Sequence, residues 1–154
     1  MKKIFALLLL ALFPIFGQAA TDVQPETQQV ISTPPTVEVR RGGLINATFA
    51  HAYWHKGKVE IAVDVTTPMV RRQFRITDSS AKDANGDYVR IARVNPSGIK
   101  LEPGRDYYVI TDHDTARLNI AVSKMPEHGS LQEVKVYMSL SGTKEWVIIR
   151  NVSW

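Results

Sequence analysis

The chain has 154 residues, with 19 basic and 15 acidic side chains and no cysteine. With Lys2 and Lys3 set aside as part of a leader, the basic excess is too small to suggest a nucleic-acid partner. Without thiols there can be no disulfide, no thiol catalysis and no thiolate metal site.

Lys2 and Lys3 open a short basic region, Ile4 to Phe16 is an apolar run, and Gly17-Gln18-Ala19-Ala20 supplies small residues for cleavage. That is the layout of a secretory signal peptide over residues 1–20, cut after Ala19 or Ala20. The run is shorter than the about 20 apolar residues of a spanning helix, and no cysteine follows it to carry a lipid. The expectation is export without a membrane anchor, to the periplasm or the cell surface. Residues 21–36, TDVQPETQQVISTPPT, are polar, rich in proline and without a hydrophobic period. They read as a flexible N-terminal segment. Residues 37–154 then hold one domain, with a length sufficient for its own core.

From Val37 onward the period is two. Phe49, His51, Tyr53 and His55 alternate with Ala50, Ala52 and Trp54. Val59, Ile61, Val63 and Val65 alternate with Lys58, Glu60, Ala62 and Asp64. Val70, Phe74 and Ile76 share one face, against Arg71, Gln73 and Arg75. Leu118, Ile120 and Val122 repeat the pattern, as do Val134, Val136, Met138 and Leu140. The closing stretch EWVIIRNVSW is apolar on both faces at its start. Alternation of this density predicts half-buried antiparallel strands and no helix. The punctuation agrees. Asn85-Gly86-Asp87 is a hairpin signal, and HKGK (55–58) and SGTK (141–144) read as turns. Pro103-Gly104 suits the centre of a type II turn. Pro96 and Gly98 must lie at an edge or a corner, because proline cannot sit in a central strand. Eight or nine strands so spaced predict an all-β sandwich.

Three patterns invite a chemical reading. His51 and His55 share a strand face, and Met69, Met125 and Met138 would suit a soft metal. Two such histidines would stand about 13 Å apart, however, at about 3.3 Å per residue, too far for one ion. Asp83-Ala84-Asn85-Gly86-Asp87 has the alternate oxygen ligands of a calcium loop, but glycine falls at loop position four and Val94 at position twelve, so a hairpin turn is preferred. His113 lies between Asp112 and Asp114, in a stretch where a polar loop is expected anyway. Neither a serine elbow nor a phosphate loop occurs. No catalytic residue, metal or cofactor is therefore expected. The terminal Trp154, in phase with Val152 and Ile148, suggests a membrane barrel, but Arg72 and Arg150 break the apolar face a barrel strand requires.

Taken in order, the segments KVEIAVDVTTPMVRRQFRITDSSAKDANGD, YVRIARVNPSGIKLEPGRDYYVI, ARLNIAVSKMPEHG and SLQEVKVYMSL resemble the N-terminal domain of PapD-like periplasmic pilus-assembly chaperones. The likeness rests on Pro96, Leu101, Pro103, Gly104 and Met125-Pro126, and spans about residues 37–145. It departs from the family in stopping after one domain and in lacking the acidic–arginine–glutamate segment before the penultimate strand. The resemblance implies an immunoglobulin-like β-sandwich of about eight strands that binds a pilus subunit, or another envelope protein, by strand pairing. It implies Val134, Val136, Met138 and Leu140 as the interactive strand, with Arg40 or Arg41 and Lys144 as polar anchors. On periodicity alone, the domain's own core is the preferred reading for the same four apolar residues. The second reading is a structural pilus subunit, whose donated strand would lie within residues 21–33. A metal carrier using the histidines comes third.

Overall fold

The computed structural model describes residues 33–154, so the leader over 1–20 and residues 21–32 of the segment 21–36 lie outside the described part, while Thr36, the last residue of that segment, begins the first strand. Eleven strands follow in order: β1 (Thr36–Arg40), β2 (Asn46–His55), β3 (Lys58–Thr66), β4 (Arg72–Asp83), β5 (Tyr88–Val89), β6 (Ile91–Ser97), β7 (Lys100–Leu101), β8 (Tyr108–Ile110), β9 (Ala116–Ser123), β10 (Ser130–Leu140) and β11 (Thr143–Ser153). They form two antiparallel sheets. The larger has the order β1-β11-β10-β4-β8-β7, with β5 also on β4, and the smaller has the order β2-β3-β9-β6. The two pack face to face as an all-β sandwich, as the alternation predicts. The strand number exceeds eight because β5, β7 and β8 have only two or three residues each, too few to show a period.

The turns form where the sequence marks them. Lys56-Gly57 and Ser141-Gly142 both have positive φ at their two residues (49° and 76°, 48° and 87°). This is the twist that suits a two-residue hairpin between right-twisted strands. In the β4–β5 turn the Asp83 side chain accepts from the Asn85 and Asp87 N–H groups at 2.9 and 3.0 Å. The oxygen that a calcium ion would need is thus used to hold the turn. Pro103 and Gly104 occupy the centre of a turn closed by Arg105 N–H donating to the Glu102 carbonyl at 3.0 Å, with Gly104 at φ 69°. Pro96 lies on β6, which borders β9 alone in its sheet. Just beyond it, at Gly98, the chain leaves the small sheet and enters the large one through β7.

The core fills from alternate residues of both sheets. Val59, Ile61, Val63 and Val65 meet Leu118, Ile120 and Val122, and opposite them lie Phe74, Leu131, Val134, Val136, Met138, Leu140, Val147 and Ile149. Two expectations about faces need correction. Val70 is 78% exposed, because the chain leaves β3 at Thr66 and pairs again only at Arg72. In β2 the register slips at Ala50. The bulge turns Ala52 and Trp54 toward the core and leaves His51, Tyr53 and His55 on the outer face.

The outer face of the large sheet carries a linked set of charges. Arg150 donates to Glu38 at 2.8 Å and lies 3.4 Å from Glu133, which pairs with Lys135 at 2.7 Å. Glu38 also accepts from Arg40 at 2.5 Å. These two bonds, that from Arg40 first and that from Arg150 second, hold the Glu38 carboxyl down from its ordinary 4.5 to about 2. A carboxyl lowered in this way stabilises the fold above its unfolded value and stops doing so as pH falls through its folded value. The tie between β1 and β11 should therefore weaken as pH drops from about 4.5 toward 2. Amide exchange at Val37 and Val39 should quicken in that window, and in Glu38→Gln it should be fast already at neutral pH. An exchange rate that ignores Glu38→Gln would mean that the apolar contacts of Val37 and Val39 hold β1 without the ion pairs.

Candidate functional site

The seven residues singled out as a partner surface fall into two groups. Val134, Val136, Met138 and Leu140 are fully buried within the core. Their strand, β10, lies between β11 and β4 and is paired on both sides along nearly its whole length. Its main-chain groups are consumed by those two ladders and its apolar side chains face the opposite sheet. This structure therefore places the four in the core and not on a donated strand. The signal in the sequence was real, but alternation reports a half-buried strand without saying what buries it.

Arg40, Arg41 and Lys144 are exposed. Arg40 ends β1 and pairs with Glu38. Arg41 takes φ 72° at the head of the Arg41-Gly42-Gly43 bend into β2. Lys144 stands at the start of β11 with its ammonium 5.9 Å from the Tyr137 ring. Arg40 lies opposite Trp146, and Lys144 is two residues before Trp146 on the same strand, so both face outward on one side of the large sheet. The slot beside β11 is filled by β1, from Thr36 opposite Arg150 to Arg40 opposite Trp146.

A buried carboxylate escaped the sequence reading. Glu145 is in phase with Val147 and Ile149, so it faces inward and is fully buried. It accepts from the Leu44 N–H at 3.1 Å, while its second oxygen has no hydrogen-bond partner among the described residues. A Cβ on Gly42 would stand 2.2 Å from the first oxygen. Glu145 thus anchors the β1–β2 connection to the end of the sandwich, and a side chain at Gly42, which has φ 74°, would have to displace the carboxyl group.

With β10 interior, strand pairing with a partner requires an edge. The edges differ in how they are guarded. β1 carries Glu38 and Arg40 on five residues. β6 carries Arg93, Pro96 and a register slip between Ile91 and Arg93. β7 has two residues, one of them Lys100. Charge, proline, bulges and shortness are the usual protections of a sheet edge. β2 has ten residues, NATFAHAYWH, with no Lys, Arg, Asp, Glu or Pro. Within the strand, the bulge at Ala50 is the one such protection. Among the described residues it borders β3 alone. Its outer face presents His51 and Tyr53 with ring centroids 5.7 Å apart, and Tyr53 is half exposed.

The other chemical candidates disperse. His51 and His55 point outward from β2 with Tyr53 between them. His113 is exposed, 3.7 Å from Asp112. Its loop is closed by Asp114, which accepts from both the main-chain N–H and the hydroxyl of Thr111 at 2.8 Å. Among the described residues no three His, Asp or Glu side chains converge as a metal site, and no helix is long and apolar enough to cross a membrane.

No protein-family model, no curated protein and no solved structure matches the chain.

Proposed function

We propose that this domain is a non-catalytic protein-binding module of the cell envelope that works by strand addition at β2. The observation that carries the reading is the contrast between β2, a long uncharged edge, and the charged, short or proline-bearing edges elsewhere. An extended partner segment laid along β2 would gain affinity from main-chain hydrogen bonds and selectivity from alternate side chains. His51, Tyr53 and His55 would be the outward contacts on one face, and Phe49 and Trp54 would lie on the other.

The chaperone-like reading fits the strand order. In immunoglobulin-type sandwiches strands A, B, E and D form one sheet and C, F and G the other. Here β2, β3, β9 and β6 stand in the first order and β4, β10 and β11 in the second. That supports an immunoglobulin-like fold, with β1 added beside the last strand and β5, β7 and β8 beside the third. The partner class is then a pilus subunit or another exported protein, met in the periplasm. The contact strand is reassigned from β10 to β2.

The test is photo-crosslinking in cells, with the reactive residue at Thr48 or Tyr53 and, as a control, at Ala84 in the β4–β5 turn. Products with a second protein from β2 and none from Ala84 are expected, and Ala50→Lys should remove them by setting a charge on the edge. A ladder of self-products would mean instead that the chain polymerises as a structural subunit. No product from either β2 position would sink the strand-addition reading.

A further inference from the structure

A polar cleft of about 260 Å³ opens near the β10–β11 turn, beside the start of β4. Its walls follow from the register. Ser139 of β10 lies opposite Arg75 of β4 on one side and Lys144 of β11 on the other. The side chains of Gln73 and Arg75 alternate outward with Phe74 turned into the core. Above them the Ser141-Gly142 turn is tied to β4 by two bonds. Ser141 N–H donates to the Gln73 carbonyl at 2.8 Å, and Gln73 N–H donates to the Ser141 hydroxyl at 3.2 Å. At the far end the register slip between Tyr137 and Met138 releases Thr77 from the ladder; Thr77 lines the cleft, with its hydroxyl donating to the Tyr137 carbonyl at 3.4 Å. The remaining wall is Tyr107, which follows the Pro103-Gly104 turn. Asp106 accepts a hydrogen bond from the Arg75 guanidinium, and Tyr107 lines the opening.

We propose that this cleft binds a single pyranose sugar. The argument is one of matching chemistry. The lining residues carry the hydroxyls of Ser139 and Tyr107, the Ser141 hydroxyl that accepts from Gln73 N–H and still has its own proton to donate, the side-chain amide of Gln73 and the guanidinium of Arg75. Hydroxyl and amide groups both donate and accept, which is what a ring of sugar hydroxyls also does. An anion is disfavoured because the one cation in the lining, Arg75, is already paired with Asp106, and a carboxylate only accepts. An apolar ligand would strip water from this many polar groups and leave them without partners. The cleft is below the roughly 300–1,000 Å³ of sites for drug-sized molecules, and it suits a small ring. Arg75, held by Asp106 outside the lining, keeps further N–H donors for a sugar hydroxyl. An open site with so few contacts should bind with a Kd of about 1 mM, from the efficiency typical of small ligands.

The site lies on the large sheet, away from β2, and stands or falls independently of strand addition. The experiment is an amide-resolved NMR titration of the ¹⁵N-labelled protein with glucose, galactose, mannose and N-acetylglucosamine, each to about 100 mM, well past a millimolar Kd. Saturable shifts confined to residues 73–77, 105–107 and 139–142 are expected with at least one sugar. Arg75→Ala should weaken binding about tenfold or more, and Gln73→Ala should weaken it without touching the Arg75–Asp106 pair, both with the rest of the spectrum unchanged. The methyl glycosides of the responding sugar separate two sources of the same chemistry. Retained binding with one anomer points to a sugar at the end of a glycan, and binding only without the methyl group points to a free sugar. Shifts that grow linearly with every sugar, that survive both substitutions, or that appear only with acetate or phosphate would overturn the proposal.

Discussion

Val136→Asp is expected to leave the chain unfolded, while Thr48→Lys on β2 leaves stability within about 0.5 kcal/mol of the parent. Val136 is fully buried, with Val147 opposite it on β11 and Ser79 opposite it on β4. A carboxylate at this point has no cation to meet. Burying it unpaired costs several kcal/mol, against a total stability for such domains of about 5–15 kcal/mol. The milder Met138→Ala, which removes buried methylenes from the same strand, should cost about 2–5 kcal/mol. Urea denaturation followed by tryptophan fluorescence reads all three. The outcome decides between two roles for β10. If Val136→Asp folded normally and lost only a binding partner, the strand would be a surface after all and the packing described above would be wrong.

The contrast shows where sequence reasoning succeeds and where it stops. Alternation located nearly every long strand, because period two follows from the pleat whatever lies on either side. It could not rank strands as central or edge. β10 and β2 both alternate, but among the described residues β10 has two neighbours and β2 one, and that is decided by pairings between residues far apart in the chain. The two-residue hairpins at Lys56-Gly57 and Ser141-Gly142 were legible because positive φ at both positions is a local demand that glycine helps meet. The bulge at Ala50 was not, since nothing in FAHAYWH marks which residue will be skipped, and missing it reversed the faces of Ala52, Trp54 and their neighbours. Glu145 was hidden for a related reason. A charged residue at a strand start reads as solvated, and its burial depends on the β1–β2 bend folding across it.

Gly98→Ala is expected to cost about 2–4 kcal/mol, well beyond the cost of Gly104→Ala. Both glycines have positive φ, 79° and 69° respectively, so each alanine meets the left-handed penalty of about 1–2 kcal/mol. They differ in what surrounds them. A Cβ on Gly104 would find nothing within 4 Å, whereas a Cβ on Gly98 would stand 2.6 Å from the main-chain oxygen of Thr115. That carbonyl cannot simply rotate away, because Thr115 leads directly into Ala116, which is fully buried at the start of β9. The alanine must therefore either push β9 from its place beside β6 or move the crossing itself. Pro96 makes the second route costly, since it is buried on β6 opposite Leu118 and fixes the direction in which the chain leaves the small sheet. The difference between the two alanine variants isolates the close approach from the conformational cost they share. Equal urea midpoints for Gly98→Ala and Gly104→Ala would show that the crossing yields, and that Pro96 and Gly98 mark the corner without constraining it.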